Sequence, residues 1–159
     1  MFDLKGKRIA VVGGSSGIGE GTAKACAEAG AHVVIASRSE GKLKAAASRI
    51  GHGVETATID IRDDASVENY FAAAGRFDHV VMSAAEVRIA PVKTLTVAEA
   101  QTAMNSKFWG SYRVARAAQI ADNGSLTLVS GAAAVRAAKG RSLQTAINAA
   151  VEALTKGLA

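Results

Sequence analysis

The run Gly13-Gly14-Ser15-Ser16-Gly17-Ile18-Gly19 holds the clearest chemistry in this sequence. Its glycines follow an apolar stretch, Ile9 to Val12, and precede residues with helical spacing. A strand that turns on glycines into a helix aims backbone amides and the positive end of the helix dipole at one point, where a pyrophosphate fits. Three glycines also make a plain tight turn, and it is their place between strand and helix that favours the phosphate. The second candidate is Ser37-Arg38, at the end of the next apolar stretch, His32 to Ala36. Dinucleotide sites that take an unphosphorylated ribose usually carry a carboxylate there. A guanidinium instead pairs bidentately with a 2′-phosphate, and Ser15 or Ser37 adds a hydroxyl donor, so the pair predicts NADP(H). A solvated arginine at a strand end is the plainer alternative.

The elements that must position these residues follow from periodicity. Apolar stretches at Ile9 to Val12, His32 to Ala36, Val54 to Ile59, His79 to Met82 and Leu126 to Val129 alternate with helical segments. That alternation predicts an α/β fold, a doubly wound parallel sheet of about five strands, with residues 1–159 forming one dinucleotide-binding domain. Gly30 ends the first helix, Ser39 caps Glu40 to Ile50, and Asp63 or Asp64 starts a helix through Phe71. Thr96 and Glu99 form a capping box for a long helix toward Ala121, and Ser142 is the candidate cap of the last helix. The 159 residues are 49% hydrophobic with 16 glycines, one proline and 4% aromatics, the make-up of small aliphatic side chains packed tightly on a parallel sheet.

The formal charge of +5 is spread over Lys7, Arg38, Lys44, Arg113 and Arg141 without interleaved aromatics, which argues against nucleic acid and leaves a polyanionic small ligand or solvated helix faces. The single cysteine, Cys26, sits among alanines on a helix, so packing is its expected role and a reducing, cytoplasmic setting the expected compartment. The apolar stretch after Lys5, Lys7 and Arg8 is broken at once by Gly13, too short for a membrane span, and no membrane partner is expected. His32, His52 and His79 are isolated, so no metal site is expected.

Through VGGSSGIG at Val12 to Gly19, Asp60 after the third strand and FDHVVMSAA at Phe77 to Ala85, the sequence resembles the short-chain dehydrogenase/reductase family over essentially its whole length. The resemblance implies that Asp60, with Ile61 beside it, contacts the adenine, although Asp60 alone also suits a helix-entry carboxylate. It implies that Ser83, Ala84 and Ala85 line the cofactor where the family carries an N-N-A-G motif. Met82-Ser83-Ala84-Ala85 keeps the small residues and drops the two asparagines.

Family catalysis uses a tyrosine acid, a lysine four residues later, a serine and an asparagine. Aligned on Asn148 to Lys156, the tyrosine column holds Gln144 and the lysine column Asn148, neither of which titrates usefully. The serine column falls at Ser130-Gly131, with Gly131 in the usual catalytic place unless the register shifts by one to Ser130. The asparagine column, aligned through Phe108-Trp109-Gly110, falls on Lys107, either a donor into the site or a solvated lysine. The chain thus resembles a divergent member that keeps the binding motifs and loses the tetrad.

Family domains continue beyond the helix that ends at Ala159, so a truncated product of a longer gene is expected, with Leu126 to Val129 left as an apolar sheet edge. Family dimers pack through helices that here carry Ala117, Ala146, Ala150 and Leu154, which implies a homo-oligomer; the same residues also serve an intramolecular core. Three functions stay open. The first is an NADP(H)-dependent oxidoreductase acting on an unidentified small carbonyl or alcohol. The second is a non-catalytic dinucleotide-binding or sensor protein, and the third a structural fragment.

Overall fold

The computed structural model describes residues 3–159. Five strands, β1 (Arg8–Val12), β2 (His32–Ser37), β3 (Glu55–Thr58), β4 (Phe77–Met82) and β5 (Ile120–Leu128), form one parallel sheet in the order β3-β2-β1-β4-β5. The helices between them are α1 (Gly17–Glu28), α2 (Glu40–Ile50), α3 (Asp64–Ala74), α4 (Val97–Met104) and α5 (Gly110–Ala117), with α6 (Ser142–Leu158) after β5. The order reverses at β1, so the crevice outside its carboxyl end opens between the loops after β1 and β4. Ligands of doubly wound sheets bind at that switch point.

Alternation along β1 supplies both faces of the core. Ile9 and Val11 pack with Ala23, Ala27, Leu43 and Ala46 of α1 and α2. Ala10 and Val12 pack with Val67 and Phe71 of α3 and Val114 of α5. Both faces of the strand are therefore apolar, as a parallel sheet covered on two sides requires. The caps explain where helices start: Ser39 accepts from the Lys42 amide, Asp63 from the Ser66 amide, and Thr96 with Glu99 closes a full capping box. Each satisfies an amide that lacks an intrahelical partner.

Three expectations need correction. The long fourth helix ends at Ala117 and is interrupted by a π-helical turn, Asn105–Trp109. The Gly110 amide reaches back to the Asn105 and Lys107 carbonyls, and side chains add second bonds to both: Ser111 Oγ donates to the Lys107 carbonyl at 2.7 Å and an Arg113 nitrogen to the Asn105 carbonyl at 3.3 Å. The last strand starts at Ile120, well before Leu126. Its pairing jumps from Phe77↔Ile120 to His79↔Ser125, and a Cβ on Gly124 would collide with the Asp78 carbonyl, so only glycine lets this irregular stretch close on β4. Ser142 is the first residue of α6 and gives no side-chain cap; Arg141 occupies the cap position. Strand β5 does lie at the sheet edge, beside β4.

Candidate functional site

A cleft of about 790 Å³ opens at the carboxyl ends of the strands. All of the residues expected to meet the cofactor line it: Gly13, Ser15, Ser16, Gly17, Ile18 and Gly19 from the first turn, Ser37 at the end of β2 with Arg38 next to it, Asp60 and Ile61 after β3, and Ser83, Ala84 and Ala85 after β4. Backbone geometry explains why glycines hold the first turn. Gly13 has φ +90°, and a Cβ there would lie 2.5 Å from the Ala84 amide nitrogen. Gly19 is buried, and its Cβ would strike the Gly13 carbonyl and sit 2.5 Å from Ser83 Oγ. The loops after β1 and β4 thus touch at a distance that excludes side chains. Gly17, at φ +56°, has open space where a Cβ would be, on the cleft side of the turn.

Helices α2, α3 and α4 are capped by their own side chains, whereas Ser16 at the start of α1 makes no side-chain cap. First-turn amides of α1 thus remain available to a ligand, and an anion suits them. Ser37 Oγ is buried and finds no partner among the described residues. An unpaired buried hydroxyl is costly, and a ligand oxygen at the end of β2 would satisfy it. These features fit a dinucleotide whose pyrophosphate meets α1 and whose ribose meets Ser37 and Arg38.

Charges cluster at the far wall. The Arg62 guanidinium grips Asp60 through Nε to Oδ1 at 3.1 Å and a terminal nitrogen to Oδ2 at 2.9 Å. That hydrogen-bonded pair holds the Asp60 carboxyl below its ordinary range, with Arg38 adding a weaker attraction. Glu86 bridges both cations, its Oε2 lying 3.0 Å from Arg38 and 3.4 Å from Arg62. Lys42 and Ser39 line the same wall. Sequence reasoning missed Arg62, Glu86, Lys42 and Ser106. The first two lie in the loops that leave the carboxyl ends of β3 and β4, and the rule that ligands gather outside the carboxyl ends of parallel strands is the signal that finds them.

The residues in the catalytic columns, Lys107, Ser130, Gln144 and Asn148, do not line the cleft. Three of them nevertheless meet. Lys107 Nζ donates to the Ser130 carbonyl at 3.1 Å and to Asn148 Oδ1 at 2.6 Å. Ser130 Oγ lies 3.1 Å from the Asn148 carbonyl and 3.0 Å from Glu152 Oε1, and its single proton serves one of them at a time. Burial lowers the Lys107 pKa from the ordinary lysine value. Asn148 is fully buried, and its Nδ2 has no partner among the described residues; Gln144 Oε1 and Thr145 Oγ1, one turn earlier, share that condition. A Cβ on Gly131 would stand 2.9 Å from Asn148 Nδ2, so glycine in the serine column is what admits asparagine in the lysine column. Lys107 therefore answers the question left by its sequence: its ammonium is half-buried in a polar nest rather than solvated. The nest begins one residue beyond Ser106, a buried serine that lines the cleft.

With the fold and the cleft in place, comparisons with known proteins give the class. Residues 12–159 match the family model described as Enoyl-(Acyl carrier protein) reductase. L-xylulose reductase of Mesocricetus auratus is 31% identical over 165 residues, covering 98% of this chain and 66% of that protein. A solved structure described as a short chain dehydrogenase/reductase family protein superposes with TM-score 0.91 at 33% identity, covering 98% of this chain and 68% of the other. The MalC reductase/Diels-Alderase of Malbranchea aurantiaca superposes at TM-score 0.86 and 28% identity, covering 98% and 68%. The chain belongs to the short-chain dehydrogenase/reductase family, whose members are oxidoreductases with nicotinamide dinucleotides as cofactors. It spans between 34% and 66% of the lengths of the first three curated relatives it matches. Among the described residues no helix is long and apolar enough to cross a membrane.

Proposed function

We propose that this chain binds NADP(H) in the 790 Å³ cleft and serves an oxidoreductase acting on a small carbonyl or alcohol. One observation carries the preference for the phosphorylated cofactor: Arg38 and Arg62 converge on a single carboxylate oxygen of Glu86, which shows that the wall accommodates an anion between two guanidinium groups. The unpaired Ser37 hydroxyl sits at the same strand end as Arg38. The pyrophosphate is held by amides of the first turn from Gly13 to Gly19, the adenine by Asp60 and Ile61, and the remaining wall is Ser83, Ala84 and Ala85.

The bound dinucleotide supplies the hydride donor or acceptor; the chain must supply a proton and a hydrogen-bond donor for the substrate oxygen. Lys107 is the group equipped to do so. An ammonium has three protons, and with two directed at the Ser130 carbonyl and Asn148 Oδ1 the third is free for an oxygen. Burial weakens its hold on that proton. Asn148 and Ser130 are positioning residues in this reading, and Gln144 offers an amide in place of an acid.

The sign of the pH dependence follows. A lysine that donates its proton is competent below its own pKa, so carbonyl reduction should fall as pH rises through a value below the ordinary lysine range, and Lys107→Met should abolish that titration along with most turnover. Reduction can be followed by loss of reduced-nicotinamide absorbance across a panel of small carbonyls. Unchanged turnover in Lys107→Met would sink the catalytic assignment.

Gln144 and Asn148, without titratable groups in the tyrosine and lysine columns, favour a second reading in which the chain binds the dinucleotide as a sensor. Tight binding by calorimetry with no turnover of any carbonyl is its signature. Self-association belongs to the same proposal, supported by the exposed Trp109 and Tyr112 and by Ala146 on the outer face of α6. So does residence in the cytoplasm.

A further inference from the structure

The charged wall contains one carboxylate that no binding motif explains. Glu86 directly follows the small residues Ser83-Ala84-Ala85 and lies between two guanidinium groups at the cleft's edge. Asp60 is already matched to Arg62 through both of its oxygens, so Glu86 is the carboxylate that neutralises Arg38. Its backbone is tied to the π turn, its amide donating to Ser106 Oγ at 2.8 Å, and Ser106 is only 2% exposed. The side chain itself is about half exposed and free to rotate into solvent.

We propose that Glu86 is a specificity-determining residue, a tethered anion that occupies the cation pair until a 2′-phosphate displaces it and thereby weakens the discrimination of NADPH from NADH. This rests on the dinucleotide reading of the cleft. A 2′-phosphate needs the same guanidinium donors and carries like charge, so the two compete for one place. An unphosphorylated ribose brings no such charge and leaves the Arg38 to Glu86 pair intact.

The test measures Kd for NADPH and NADH by titration calorimetry on the whole chain, unaltered and as Glu86→Gln, with circular dichroism to confirm the fold. Glutamine keeps size and removes the charge. NADPH should tighten about tenfold at low ionic strength, with the gain shrinking in salt, while NADH changes by less than about twofold. A double variant, Arg38→Ala with Glu86→Gln, should lose that gain. If NADPH binds the unaltered chain and its preference over NADH is the same in Glu86→Gln, this inference is overturned and the cofactor reading stands. Weaker NADH binding in Glu86→Gln would overturn it too, by making Glu86 an acceptor for ribose hydroxyls. If neither dinucleotide binds the unaltered chain, both fall together.

Discussion

The cofactor cleft and the polar nest around Lys107 lie on neighbouring loops of one sheet, and they have diverged in opposite ways. In the cleft, residue types and positions agree: glycines stand where backbones touch, and a serine and an arginine end β2. In the nest, positions are kept while residue types change. Lysine and asparagine face each other across the gap between the π turn and α6, with the ammonium supplied from the side where the resemblance leads one to expect the amide. Backbone-to-backbone contact fixes residue type rigidly, because a single Cβ is a collision. Side-chain contact tolerates exchange, provided that a neighbour yields, as Gly131 does for Asn148.

Experiments can widen or close that difference. The largest effect is expected at Gly19→Ala, where the new Cβ strikes the Gly13 carbonyl and Ser83 Oγ. Loss of about 3 kcal/mol in chemical denaturation, together with loss of dinucleotide binding, is expected. A fully stable, binding-competent variant would show that the first turn yields as easily as the nest. Next comes Arg38→Ala, which should weaken NADPH by at least about tenfold and leave NADH nearly unchanged in the same titration.

A double-mutant cycle probes the nest. Gly131→Ala should destabilise by about 1 kcal/mol in the presence of Asn148 and by much less in an Asn148→Ala background, where nothing opposes the new methyl. Additive effects would uncouple the two positions. The smallest change is expected at Arg49→Ala. Its guanidinium pairs with Glu20 through two nitrogens at 2.7 and 2.9 Å, joining α1 to α2, yet Arg49 is more than half exposed, so the loss should be small and lower the thermal midpoint by no more than a few degrees.

Much of this was legible in the sequence. Alternating apolar stretches marked all five strands, and Ser39, Asp63 and Thr96 marked helix starts because capping is a local event with local signals. Ser142 did not mark one, since a serine at that spacing is equally at home inside the first turn. The early start of β5 was hidden because its first paired residue, Ile120, is followed by Ala121, Asp122, Asn123 and Gly124, which have no strand pattern and fill the irregularity before pairing resumes at Ser125. The gathering of thirteen expected residues at one cleft was readable since strand ends of a parallel sheet meet there. The Arg62, Asp60 and Glu86 constellation was not, because Glu86 reaches the other two from a separate loop across the fold. Gly131 gave no hint of its dependence on Asn148 for the same reason.

The π turn from Asn105 to Trp109 has one more consequence. An ordinary helix locks the angular phase of all its residues, at about 100° per step, so a change that re-aims one end re-aims the other. Here α4 and α5 are separated by a turn of different pitch, whose carbonyls at Asn105 and Lys107 accept from the Gly110 amide and from Arg113 and Ser111. The phase that aims Lys107 is thereby offset from the one a continuous helix would impose while Val114 stays seated in the core. Deleting one residue within the turn should restore a continuous helix and swing those two directions apart by about a quarter of a revolution. The extra residue of the turn thus sets where Lys107 meets Asn148 and where Val114 meets the core by one fixed rotation between them.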